Sequence, residues 1–115
     1  MSYPEPIENL EKTVSKMREV QKDFYVIKED HNLSFDGAIY VYEALKECLR
    51  EYTKRTGKDL PHIKSYLDWA TDILLSTRYV KAGDIIEPSD HNNIVNVLKV
   101  LATALTQFEK ELGIT

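Results

Sequence analysis

The chain is poor in the residues that cross-link small proteins or build tight turns. Cys48 is its only cysteine, so no disulfide can form within the chain and the cysteine content does not point to an oxidising compartment. Four glycines and four prolines in 115 residues are too few for an all-β protein rich in tight turns. The composition therefore favours a helical fold.

Long apolar runs are also missing. No segment approaches the ~20 consecutive apolar residues that a membrane-spanning helix needs. The N-terminal sequence MSYPEP has neither the basic start nor the apolar stretch of a signal peptide. We therefore expect a cytoplasmic protein with no membrane partner.

Positive charge is in the minority. The chain has 15 Lys and Arg residues against 19 Asp and Glu residues, a formal net charge of −4. Because neutralisation of phosphates by Lys and Arg supplies most non-specific nucleic-acid affinity, this balance argues against a nucleic-acid partner. With 43% hydrophobic and 30% charged residues, the composition is globular. The length is that of one domain, which we expect to span residues 1–115.

Apolar residues recur at intervals of three and four in four segments, which predicts four helices. The predicted helices cover about residues 6–29, 35–56, 61–79 and 90–112. Their predicted boundary residues are the N-caps Ser34, Asp59 and Ser89, the break Asp30-His31-Asn32, and the C-terminal glycines Gly57 and Gly113. Since the first two connections are short, we predict an all-α four-helix bundle with mainly antiparallel neighbours.

The fourth predicted helix has an unusually wide apolar surface. Between Ile94 and Leu105 its only charged residue is Lys99. Val95, Val100 and Ala102 widen the apolar stripe to most of the helix circumference. Because each helix of a four-helix bundle keeps an outer side, this pattern predicts an interface with another chain, formed by Val95, Lys99, Val100 and Ala102. The expected partner is a second copy of the chain, with another protein as the alternative.

The patterns of common catalytic and metal sites are missing. His31, His62 and His91 have no metal-ligand spacing with each other or with Cys48, and no Glu-x-x-His motif of di-metal bundles occurs. No serine elbow or phosphate-binding glycine loop is present. Cys48 falls on the apolar stripe of the second predicted helix, which is typical of a core thiol. We therefore expect a protein that is not an enzyme and that holds no metal or cofactor.

One segment is locally basic in this acidic chain. The candidate basic patch consists of Arg50, Lys54, Arg55 and Lys58. Such a patch could contact a phosphate backbone. The alternative is that these cations complement the negative end of the second helix dipole.

The spacing of Arg55 and His62, with six residues between them, faintly resembles the Arg-x4–6-His motif of HEPN domains. These are helical bundles, some of which cleave RNA. The resemblance implies that Arg55 would stabilise charge on the phosphate and that His62 would transfer a proton. Gly57 and Pro61 inside the motif depart from the family pattern. A HEPN-like RNA-binding or RNA-cleaving protein is therefore the alternative function.

Residues 81–95, KAGDIIEPSDHNNIV, combine a Gly-Asp-x-Ile turn with Asp-His-Asn at a helix start. This segment resembles one found in tail and virion structural proteins of phages and archaeal viruses, where the helix leads into an oligomeric stalk. The resemblance implies a structural or host-interaction role in a virus, with the virion as the location. Together with the fourth helix, it leads to our main hypothesis of a non-enzymatic, self-assembling helical protein.

Overall fold

A computed structural model describes residues 3, 5–21 and 28–113 of the chain. These residues form four α-helices and no β-strand, which confirms the all-helical prediction for this part of the sequence. The helices are α1 (Ile7–Gln21), α2 (Lys28–Thr56), α3 (Pro61–Leu75) and α4 (Pro88–Leu112).

The second helix begins seven residues earlier than predicted. Its first turns contain Asp30-His31-Asn32, so the predicted break is wrong. Ser34 is not an N-cap, because it lies inside α2, where its hydroxyl accepts a hydrogen bond of 2.8 Å from Gln21 Nε2. The low helix propensity of this segment is overridden because His31, Asn32 and Ser34 form hydrogen bonds with residues elsewhere in the fold. The predicted extension of the first helix over residues 22–27 lies outside the described residues.

The two other predicted N-caps are also wrong. Leu60 occupies the cap position of α3 without a side-chain hydrogen bond, and Asp59 instead forms an ion pair of 2.5 Å with Lys64. At α4 the cap is Glu87 rather than Ser89. Glu87 and Asp90 form a capping box, in which each side chain accepts a hydrogen bond from the other residue's backbone N–H.

The helix ends agree better with the sequence signals. Gly57 and Gly113 have φ angles of 71° and 73°, the left-handed conformation that ends a helix most easily when no Cβ is present. The third helix ends at Leu75 rather than at Tyr79. The chain leaves it there because the backbone of Arg78 and Val80 hydrogen-bonds to side chains of α2.

The four helices share one apolar core. Helices α2 and α4 each pack against all three other described helices, whereas α1 and α3 do not touch. The largest fully buried apolar side chains include Leu10, Leu45, Ile63 and Phe108, one from each helix. Helix α3 packs more extensively against α4 than against α2. This difference leaves a groove between α2 and α3.

Candidate interaction surfaces

The four predicted interface residues of α4 do not share one environment. Val100 is only 6% exposed and belongs to the core, so no second chain is needed to bury it. Val95 and Ala102 are half-buried, and Lys99 is exposed. The wide apolar circumference of α4 is therefore largely satisfied within the chain, because α4 packs against all the other described helices.

The remaining three residues line the seam between α1 and α4. Two adjoining hollows there, of about 170 and 470 Å³, share Arg18 and Lys99 in their walls. Val95 lines the smaller hollow and Ala102 the larger one. We call this surface, formed by Arg18, Val95, Lys99 and Ala102, the α1–α4 face. It combines small apolar side chains with two cations.

A larger groove lies between α2 and α3. It has a volume of about 500 Å³ and a wall made of both leucines and charged side chains. The residues that line it are Tyr42, Lys46, Leu49, Arg50, Thr53, Lys64, Leu67 and Asp68. We call it the α2–α3 groove. The Nζ atom of Lys46 lies 5.3 Å from the centre of the Tyr42 ring, within the range of a cation–π interaction.

The predicted basic patch only partly coincides with this groove. Arg50 lines it, whereas Lys54, Arg55 and Lys58 are not among its wall residues. Sequence reasoning missed Tyr42 and Lys46. Tyr42, Lys46 and Arg50 follow one another at intervals of four residues, and this spacing is the signal that places all three on one side of a helix.

The two residues of the HEPN-like motif have different partners. The Nε atom of Arg55 lies 2.9 Å from a carboxylate oxygen of Glu51, and its guanidinium lies 4.7 Å from the centre of the Tyr3 ring. The imidazole of His62 lies 3.9 Å from a carboxylate oxygen of Glu111 on α4. The described contacts therefore place the two side chains beside separate carboxylates.

A polar network fastens the connection between α3 and α4 onto α2. The side chain of Asn32 both donates to the Val80 carbonyl, at 2.9 Å, and accepts from the Val80 N–H, at 2.8 Å. His31, fully buried, donates from Nε2 to the carbonyl of Arg78 at 2.8 Å. Val80, 2% exposed, is thereby held in the core as the apolar anchor of this connection.

The same connection is closed by an ion pair. The guanidinium of Arg78 donates to both carboxylate oxygens of Asp90, at 3.0 and 2.8 Å. Burial acts to raise the pKa of Asp90, but the hydrogen bonds from Arg78 and from the Glu87 N–H outweigh it and lower the pKa below its usual value. Asp90 thus completes the capping box of α4 and ties this helix to the connection that follows α3. Within residues 81–95, Glu87 and Asp90 therefore have structural roles.

Two titratable groups are buried away from both surfaces. Burial raises the pKa of the Cys48 thiol, and this thiol contacts the backbone carbonyl of Glu5 at 3.7 Å, a combination typical of an unreactive core cysteine. Glu109, only 8% exposed, meets Glu11 of α1. Burial, a hydrogen bond with Glu11 and repulsion from its charge raise the pKa of Glu109 to about 7.

Within residues 3, 5–21 and 28–113, no three His, Cys, Asp or Glu side chains come close enough together to hold a metal ion. No helix in these ranges combines the length and apolarity needed to cross a bilayer. Comparison of the chain with models of protein families, with curated proteins and with solved structures found no match.

Proposed function

We propose that this chain is a non-enzymatic helical protein whose function is to associate with protein chains, in the first place with a second copy of itself. The observation that supports this proposal is the α1–α4 face. Val95 and Ala102 are only half-covered there and line two adjoining hollows beside the aliphatic stems of Arg18 and Lys99. Such a mixture of apolar and cationic groups is typical of protein interfaces.

We infer that the four helices form one antiparallel bundle. Two contacts between α3 and α4 support this arrangement. His62, at the start of α3, lies by Glu111 at the end of α4, and Asn93 near the start of α4 donates to the carbonyl of Ser76 just after α3, at 3.2 Å. In a bundle of this kind, the α1–α4 face would lie on the outer side of two neighbouring helices, where a second copy can cover it.

The proposal is tested by the oligomeric state of the purified chain. We expect light scattering during gel filtration to show a dimer or larger species at tens of micromolar, and Ala102→Arg to shift it toward the monomer because an arginine would fill the larger hollow. Ser65→Arg is the matched control, since Ser65 is exposed on α3 and the substitution adds the same charge. A wild-type chain that stays monomeric at these concentrations would refute the proposal.

Residues 81–95 resemble a segment of virion structural proteins, and on that resemblance the self-association would serve virion assembly. The RNA-cleaving alternative remains a prediction that requires Arg55 and His62 to act on one phosphate. It is tested by cleavage of single-stranded RNA at low salt, with Arg55→Ala and His62→Ala as the inactive variants.

A further inference from the structure

The α2–α3 groove has an apolar floor. Leu49 and Leu67 are only 6% and 5% exposed, yet both line the groove, so their side chains form its bottom. Little of each leucine is exposed, but the groove above them stays open because α3 packs mainly against α4. A groove with an apolar floor between two helices is a known kind of docking site for an amphipathic helix.

The dimensions of the groove fit a short helix. On α2 its wall runs from Tyr42 to Thr53, which are eleven steps apart, or about 16 Å at 1.5 Å per step. Near Tyr42 the phenol oxygen and the hydroxyl of Thr71 hydrogen-bond at 2.6 Å and link the two helices. The groove therefore accommodates about three turns of helix, entering from the side of Thr53.

The charge of the groove is opposite to that of the chain. Its wall contains Lys46, Arg50 and Lys64 but only one acidic residue, Asp68, although the chain carries a net charge of −4. Arg50 and Lys64 bond to exposed carboxylates outside the groove. Such exposed ion pairs contribute little and exchange readily for a carboxylate on a ligand.

We propose that the α2–α3 groove binds an acidic amphipathic helix of about three turns from another protein. The apolar side of this helix covers Leu49 and Leu67, and its Asp or Glu residues pair with Lys46, Arg50 and Lys64. A nucleic acid fits less well, because the floor consists of leucines and the one aromatic ring among the lining residues, that of Tyr42, already contacts Lys46. This surface is separate from the α1–α4 face, so binding here does not depend on self-association.

The test uses a display library of three-turn helical peptides with a fixed leucine stripe and charged positions randomised among Glu, Lys and Gln. We expect selection on the full chain to enrich Glu at positions flanking the stripe. The enriched peptide, made with a fluorescent label, should bind with an affinity that falls several-fold when salt screens the charges. Failure to enrich any peptide, or enrichment of Lys, would overturn the proposal.

Two double variants locate the binding site. Lys46→Glu/Lys64→Glu reverses two charges in the groove, and we expect about a tenfold or greater loss of peptide affinity. Lys54→Glu/Lys58→Glu makes the same change in net charge on exposed residues outside it and should leave the affinity within about twofold. Equal losses in both variants would overturn the proposal, as would groove-dependent binding of a single-stranded RNA oligonucleotide in place of the peptide.

Discussion

Raising the pH from 5 to 8 should destabilise this protein through Glu109. The pKa of this carboxyl is about 7 in the folded chain, against 4.5 for an ordinary glutamate. Because the folded state holds the proton more tightly, the unfolded state binds fewer protons between these two values, and the free energy of unfolding falls as the pH rises. The stability that the raised pKa of Glu109 contributes is fully present below about pH 4.5 and is lost as the pH rises through about 7.

The size of the effect follows from the shift. At about 1.4 kcal/mol for each pKa unit, a rise from 4.5 to about 7 sets a ceiling of about 3.5 kcal/mol on the lost stability. Glu109→Gln removes the titrating group but keeps a neutral side chain that can donate a hydrogen bond to Glu11. We therefore expect the variant to be about 2 kcal/mol more stable than the wild type at pH 8 and close to it at pH 4.5.

The assay is urea unfolding of both proteins at half-unit steps from pH 4.5 to 8. The difference between them isolates Glu109 from the other titrating groups. Glu8→Gln, on an exposed residue of α1, is the control for the same change in net charge. Parallel stability curves for the wild type and Glu109→Gln would refute the raised pKa of Glu109.

Two further predictions concern the cap of α4 and the apolar core. Asp90→Ala removes the capping box and leaves Arg78 without its bidentate partner, so thermal unfolding should show a loss of about 2 kcal/mol; an effect below 0.5 kcal/mol would contradict this. Leu45→Ala should cost about 3 kcal/mol in urea unfolding because Leu45 is fully buried, whereas Leu75→Ala, at a residue 81% exposed, should change stability by less than 0.5 kcal/mol. Similar losses in both leucine variants would show that the core is misassigned.

Helix content could be predicted from periodicity, and the places where the prediction fails have a common cause. The stripes of α2 and α4 continue over several turns, so their apolar faces are clear. By contrast, His31, Asn32 and Ser34 are residues that commonly break or cap helices. The partners of His31 and Asn32 lie 47 and 48 residues away in the connection between α3 and α4, and the partner of Ser34 lies 13 residues back on α1. No local pattern can reveal such pairings.

The candidate surfaces were less predictable than the fold. The width of the apolar stripe singles out Val95, Val100 and Ala102 as candidate interface residues. It cannot tell which side of α4 meets another helix of the same chain, and Val100 in fact lies in the core. The α2–α3 groove depends on how closely two helices approach. That distance is set by the packing of α3 on α4. The only sign of the groove in the sequence is the spacing of Tyr42, Lys46 and Arg50.

The most direct test of self-association is amide hydrogen exchange measured at low and at high protein concentration. If a second copy covers the α1–α4 face, raising the concentration should slow exchange in the part of α4 between Val95 and Ala102 and in α1 around Arg18, and leave the exchange of α3 unchanged. Exchange that does not depend on concentration, or protection that develops elsewhere, would contradict the account.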